Sequence, residues 1–487
     1  MRDRAISDQG GRLRALAALG VAALVAVAMG WGVGGGGVPM IAVLGVIAVI
    51  GAAVLAQTPL LGVIGITVAI FANLADVLIV YFGFPSINKL LAPGLLFLLS
   101  YRYLINGDQP LVDGTFLAMT VTLLTVYLVS ATYAFSHTVA MEELNEALRN
   151  MIIVVLALAC FRIRGAFDAF VATLVTIGFV VGAVGLLKHT IGEPDSHYWG
   201  LARAANDGPR LSGFMADPND FGAILVALLP FALNRALWSE RAAARLYALC
   251  AAALICIAII LTQSRGALLA GLAGVMIYSI AMDRRTIIRL ALCGAVVGFA
   301  ATVVLSDQIA ARFSTILDMA ATGVAMDRAV EGRLGSWAVA IRLFLDNPLQ
   351  GVGAGNFSVK YQDTANDLGV IFRGRDRSPH SLYLEVLSEF GAIGLALLLG
   401  AVAVAIRRVI RAASQMQAQG DMRLRASCIA VGAALTAHLL AQGFLQGPAK
   451  RQLWLLLGVA VALPAIMALE RDRRARAAVP DQAHPAT

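Results

Sequence analysis

Long apolar stretches recur along this chain from residue 15 to residue 469, most of them long enough to cross a bilayer. A hydrocarbon core is about 30 Å thick, so a spanning helix needs roughly 17–25 mostly apolar residues. Fourteen segments are candidates: 15–31, 38–56, 59–82, 88–105, 113–135, 148–161, 167–188, 218–237, 244–262, 266–282, 288–305, 380–406, 427–446 and 452–469. The sixth is short and the third carries Asn73 and Asp76, so the expected count is twelve to fourteen spans. Only 14% of the side chains are charged, against about 25% in a soluble domain. In lipid every backbone polar group must be satisfied internally, by a helix or a closed barrel. The alternation of barrel strands is missing. The expected fold class is an all-α integral membrane protein. Disorder, a disulfide-stapled secreted domain and a cytosolic metalloenzyme all fit poorly.

The net charge of +8 reads as membrane topology, with no nucleic acid implied, because basic residues collect on the cytoplasmic side of a spanning bundle. With the N-terminus inside and fourteen alternating spans, the inner segments gather Arg2, Arg4, Arg12 and Arg14; Arg162 and Arg164; Arg241 and Arg245; Arg284, Arg285 and Arg289; Arg407, Arg408, Arg411, Arg423 and Arg425; and Arg471, Arg473, Arg474 and Arg476. Both termini are therefore expected in the cytoplasm. The first apolar segment is read as a retained anchor, since no small-residue cleavage site stands out at Trp31–Pro39. The resulting division is an N-terminal bundle of about eleven helices (1–305), a large outward loop (306–380), C-terminal spans (381–470) and a cytoplasmic tail (471–487).

The outward loop is too long for a passive connection. Within it, Glu331–Asp346 reads as a helix with Leu334, Trp337, Ile341 and Leu345 on one face, an arrangement suited to a membrane surface. Gly351, Gly353 and Gly355 then form a turn that matches a phosphate loop only weakly. It lacks the strand–turn–helix context and the lysine of that motif. The five cysteines (160, 250, 256, 293, 428) all fall in apolar segments without disulfide or metal spacing, and read as small buried packing residues. The histidines form no ligand pair, so no metal is expected. His137, Glu142, Glu143, His189 and His197 read as solvated loop residues.

Four polar groups stand at the outward ends of spans, where polar side chains are costly and serve a purpose. Arg210–Gly222 leads into the eighth span; Asp217 or Asn219 can cap that helix and Pro218 can start it. Capping accounts for Asp217, Asn219 and Asp220 as well as chemistry does, but it leaves Arg210 unexplained. Thr262-Gln-Ser-Arg265-Gly is a polar knot between two apolar spans. Its guanidinium either snorkels to the interface or forms a fork for a pyrophosphate, which planar, permanently charged donors suit. Arg377–Gly394 opens a span: Ser378 as N-cap and Pro379 at the first position put His380 in the first turn. There the positive helix end disfavours imidazolium and leaves a neutral proton acceptor. Glu385 and Glu389 follow about 7.5 and 13.5 Å along the axis, inside the membrane. Gln446–Gln452, with Lys450 and Arg451, is a basic hairpin that serves equally as an interfacial anchor or a substrate contact.

These residues resemble the O-antigen ligase and O-antigen polymerase superfamily of bacterial envelope glycosyltransferases. The likeness rests on Asp217-Pro-Asn-Asp220, Ser264-Arg265-Gly266, the segment from Trp337 through Asn347-Pro-Leu-Gln-Gly-Val-Gly-Ala-Gly-Asn356-Phe, and Pro379-His380-Ser-Leu-Tyr-Leu-Glu385 through Glu389-Phe-Gly-Ala-Ile-Gly394. It covers about residues 200–400; the first 150 match in hydropathy alone. The resemblance implies a GT-C-like membrane fold with its active site on the periplasmic face of the bacterial inner membrane, working without cofactor or metal. The implied donor is an undecaprenyl-pyrophosphate-linked glycan. The implied acceptor is lipid A–core for a ligase, or a second lipid-linked glycan for a polymerase, with a chain-length regulator as a candidate partner. Arg210 and Arg265 would hold the pyrophosphate and His380 would deprotonate or orient the acceptor hydroxyl. Asp217, Asn219, Glu385, Glu389 and Arg451 would support them. The competing reading is a transporter or flippase of lipid-linked saccharides. Such proteins usually show interrupted repeats in corresponding halves, and none is evident here.

Overall fold

A computed structural model describes residues 58–83, 88–192, 196–205, 208–282, 328–370, 377–445 and 450–478, together with 285 and 288. Fourteen helices account for most of them: α1 (Pro59–Phe71), α2 (Leu74–Phe82), α3 (Asn88–Asn106), α4 (Gly114–Tyr133), α5 (His137–Ala159), α6 (Ala166–Thr190), α7 (Pro218–Trp238), α8 (Ala242–Leu261), α9 (Arg265–Ile280), α10 (Arg328–Asp346), α11 (Asn356–Asp367), α12 (Leu382–Ala418), α13 (Met422–Gln442) and α14 (Arg451–Ala478). Two short antiparallel strands, β1 (Arg203–Ala205) and β2 (Gly208–Gly213), form a ribbon between α6 and α7. The chain is an all-α multi-pass membrane protein, with this one β element among the described residues.

Eight described helices are long and apolar enough to cross a membrane, starting at residues 114, 137, 166, 218, 242, 382, 422 and 451. The predicted span 59–82 is the broken pair α1–α2, bent by 71°. The break lies at Asn73, whose φ of 43° is left-handed. Asp76 just beyond it pairs with Arg203 Nη2 of β1 at 2.8 Å, so the acid in this apolar stretch has a fixed partner. The predicted spans 88–105 and 266–282 carry shorter apolar helices, Pro93–Ile105 and Arg265–Ile280. The predicted spans 15–31, 38–56 and 288–305 lie outside the described residues, apart from residue 288.

Several sequence expectations need correction. The short sixth span is the second half of α5, which begins at His137. His137, Glu142 and Glu143 therefore sit on a helix rather than in a solvated loop, and the His137 Nδ1 lies 2.7 Å from the Ala131 carbonyl. Cys160 and Cys428 are buried as expected, but Cys250 is exposed on α8. The helix α14 continues past residue 470, where Arg473 pairs with Glu470 at 2.7 Å.

α7, α13 and α14 are the most enclosed of the spans. Phe221, Leu225, Leu435 and Leu456 lose essentially all their exposure there. A separate small core joins α10 and α11 through Val339, Ala340, Leu343, Phe357, Tyr361 and Ala365. The face picked out by the spacing is a different one: Leu334, Ile341 and Leu345 point outward, free of the small core.

The glycine-rich turn between α10 and α11 is a structural joint. α12 breaks at Gly391 (φ 64°, ψ −163°), a backbone region essentially restricted to glycine. The 348–353 segment enters the break. Val352 and Gly353 donate their N–H groups to the Ser388 and Glu389 carbonyls, both at 2.9 Å, and Ala392 N–H reaches the Pro348 carbonyl at 2.9 Å. Asn356 fastens the other side, accepting from Ser136 N–H at 2.6 Å and donating to the Ala354 carbonyl at 2.8 Å. Residues 351–354 are buried, which removes the phosphate-loop reading: their amides pair with protein carbonyls or face other side chains of the joint, such as Ser130, whose Oγ accepts from Ala354 N–H at 3.3 Å.

Candidate functional site

The polar groups gather at one end of the bundle. Asp217 is the N-cap of α7, its Oδ1 accepting from Asn219 N–H at 2.6 Å, and Pro218 opens the helix. Arg210 on β2 donates from Nη2 to Asn219 Oδ1 at 3.2 Å and from Nε to the Thr262 carbonyl at 3.1 Å. The ribbon arginine thus joins the α7 N-terminus to the turn between α8 and α9. That turn is tight, with Gln263 at φ 52°. Ser264 caps α9 by accepting from Ala267 N–H at 3.3 Å, and Arg265 is the first helical residue. The two helix starts nearly touch, since a Cβ on Gly222 would fall 2.6 Å from that of Ala267. Asp220 pairs with Lys450 Nζ at 2.5 Å, bringing in the residue just before α14.

His380 lies at the entrance to α12, outside the helix. Ser378 and Pro379 do not start α12 as the sequence suggests; Ser381 is the N-cap and Leu382 the first helical residue. The Pro379 carbonyl accepts the Trp337 indole N–H at 3.0 Å, and His380 adopts φ 47°, so the chain enters the helix three residues late. The imidazole is still held below its ordinary pKa, but mainly by burial. Arg333 and Arg377 reinforce the shift, against the opposite pull of Asp217 and Asp220. The neutral ring expected from the helix dipole is therefore reached by desolvation and cationic neighbours. The influence of Asp217 and Asp220 also ties His380 to the mouth of α7.

The two glutamates have other surroundings. Glu389 is 4% exposed, and its Oε1 accepts from Phe357 N–H at 3.3 Å, capping α11. Glu385 lies one turn nearer to His380, and its carbonyl accepts from Ser388 Oγ at 3.1 Å. Arg451 is the first residue of α14, with one buried guanidinium nitrogen, Nη1, lacking a hydrogen-bond partner among the described residues. Sequence reasoning missed Arg333. Its signal was the four-residue spacing to Trp337, which puts both on one face of α10. It also missed Arg203, which is committed to Asp76 and the Phe214 carbonyl. Among the described residues, no three His, Cys, Asp or Glu side chains assemble as a metal set.

The opposite end of the bundle is basic and differently organised. There Arg408 reaches Thr115 Oγ1, Arg423 pairs with Glu240, Arg425 reaches the Ala281 carbonyl and Arg473 the Arg162 carbonyl. These arginines, all assigned to cytoplasmic segments, thus share one end, and the Arg210–His380 cluster occupies the other.

Curated proteins give no match to the chain. Residues 250–399 match the family described as O-Antigen ligase, a stretch that includes Arg265, Trp337, the glycine-rich joint, His380 and Glu389. The region that carries much of the candidate site is thus similar to the O-antigen ligase family.

Proposed function

We propose that the protein is a membrane glycosyltransferase that moves a glycan from an undecaprenyl-pyrophosphate donor to a sugar hydroxyl, on the periplasmic face of the bacterial inner membrane. The acceptor is lipid A–core or a second lipid-linked glycan. The observation that carries this reading is the convergence of Arg210, the Arg265 turn, Lys450 and His380 at one end of a spanning bundle. Two arginines from separate elements, with the Lys450–Asp220 pair next to them, suit a pyrophosphate that gains negative charge as it leaves, and a neutral imidazole at the same end suits proton removal.

In the proposed step, the acceptor oxygen attacks the anomeric carbon. Its proton passes to His380, and the bond from carbon to pyrophosphate oxygen breaks with its electron pair on the pyrophosphate. Arg210 and Arg265 offset the charge that grows there. Glu389 contributes by holding α11 and the joint that carries α12. Arg210 is aimed by Asn219 and the Thr262 carbonyl, so Asn219 acts through positioning, while Asp217 sets the start of α7.

Purified protein with lipid-linked donor and acceptor should give transfer, and His380→Ala should abolish it while the variant stays monodisperse. Full activity in that variant overturns the assignment. Saccharide flux in liposomes without transfer would favour the transporter reading, which needs only the spans and the buried charges.

A further inference from the structure

A second feature lies outside the reaction proposed above. An apolar groove of about 380 Å³ runs between α4 and α12, with Trp454 of α14 in its wall. Along α4 it extends from Thr115 to Tyr127, about 18 Å at 1.5 Å per residue. One leaflet of a hydrocarbon core about 30 Å thick is of similar depth. Its walls over that length are almost wholly apolar side chains of α4 and α12, the surroundings that an unbranched hydrocarbon chain leaves lipid for at no cost in exposed apolar surface.

The groove has a charged end. Arg408 donates from Nη2 to Thr115 Oγ1 at 2.6 Å, and Arg407 and Arg411 stand exposed beside it on α12. Among the described residues no carboxylate pairs with these three arginines. Asp113, two residues before Thr115, directs its Oδ1 to the amides of Thr115 and Phe116. This end is remote from the candidate site: Arg408 lies 17 residues beyond the Gly391 break, about 25 Å along that part of α12. At the other end Tyr127 packs on Phe390.

We propose that this groove binds one acyl chain of an anionic phospholipid from the leaflet on the Arg408 side, with the lipid phosphate on the Arg408–Thr115 pair. A guanidinium fork matches phosphate oxygens, and cations flanking a span attract anionic headgroups. The bound chain fills the seam between α4 and α12. His380 stands just ahead of the far end of α12, so the lipid braces that helix without touching the reacting groups.

The test uses the full chain in phosphatidylcholine nanodiscs doped with phosphatidylglycerol bearing a diazirine at one acyl terminus. Phosphatidylcholine with the same label runs in parallel. Wild-type protein is expected to take at least threefold more phosphatidylglycerol label within 118–126 and 396–404. Arg408→Gln should bring this down to the phosphatidylcholine level, and Ala401→Trp, which fills the groove, should remove both. Should Arg408→Gln fail to give monodisperse protein, Arg408→Lys keeps the charge without the fork and should lose most of the preference. Equal labelling by the two headgroups overturns the proposal, as does a groove left unlabelled because the chain's own residues fill it. Displacement of the label by undecaprenyl phosphate would also overturn it, by assigning the groove to a prenyl chain.

Discussion

Trp337 donates its indole N–H to the Pro379 carbonyl at 3.0 Å, linking the amphipathic helix α10 to the residue immediately before His380. This bond accounts for two departures from the expected helix start. It occupies a carbonyl of the expected first turn that would otherwise accept a helical hydrogen bond, and His380 stands in a left-handed conformation at the mouth of α12. The imidazole is thereby placed between α10, which brings Arg333, and the N-terminus of α7, which brings Asp217 and Asp220.

Replacing Trp337 with Phe keeps the ring bulk and removes the donor. A buried acceptor left without its partner costs about 1–3 kcal/mol. The expected result is a thermal midpoint a few degrees lower and transfer reduced about tenfold, read from initial rates and a melting curve on the same preparation. A loss of stability with unchanged transfer would show that the bond holds α10 but not His380.

The pH profile carries a definite sign. In the proposed step His380 acts in its neutral form, and its pKa lies below the ordinary value, so activity should rise with pH through a midpoint below about pH 6.5, the unperturbed value. Arg333 and Arg377 contribute to that depression. Arg333→Gln should therefore raise the histidine pKa and move the ascending limb to higher pH, and Arg377→Gln should do the same to a smaller extent. Rates measured across the acid limb decide it; a limb that does not move in either variant removes the electrostatic role.

Glu389 distinguishes a cap from a catalyst. Its carboxylate accepts from Phe357 N–H, a task that the amide oxygen of Gln can take over. Glu389→Gln should retain transfer within about threefold, while Glu389→Ala should cost about 1–3 kcal/mol of stability by stranding a buried amide. Loss of transfer in a stable Glu389→Gln protein would instead give the charge a chemical task.

Gly391 should tolerate no side chain. At φ 64° a Cβ would run into the Leu349 carbonyl, which is backbone and fixed by the joint. Gly391→Ala should lower expression of folded protein sharply. At Gly400, further along the same helix, an added Cβ would meet nothing within 4 Å, and Gly400→Ala should be neutral. Size-exclusion profiles of the pair provide the comparison.

Arg210 should not be replaceable by Lys. Its Nε and Nη2 are both engaged, by Thr262 and Asn219, and an ammonium cannot hold two diverging partners in one plane. Arg210→Lys should lose at least tenfold in transfer, and Asn219→Ala a smaller factor through the lost aim of the guanidinium. Equal activity of Arg210→Lys and wild type would assign the arginine no more than a charge.

The spanning bundle was legible in the amino-acid order, because lipid demands long apolar helices and their lengths are read directly from hydropathy. So was the segregation of arginines, which follows loop by loop, and the cap at Asp217, which depends on residues adjacent in the chain. Where helices break was not. Gly391 sits in an apolar stretch of continuous hydropathy, Asn73 and Asp76 mark a polar point without fixing a bend, and only partners distant in sequence, residues 348–353 for the one and β1 for the other, stabilise the interruption. The same holds for the polar residues. Glu389 and His380 look alike as buried titratable groups on one predicted helix, yet one caps α11 and the other faces α7 and α10. Which of them turns toward the cluster depends on the packing of α10, α11 and α12 around the glycine joint, and no local pattern of side chains encodes that packing.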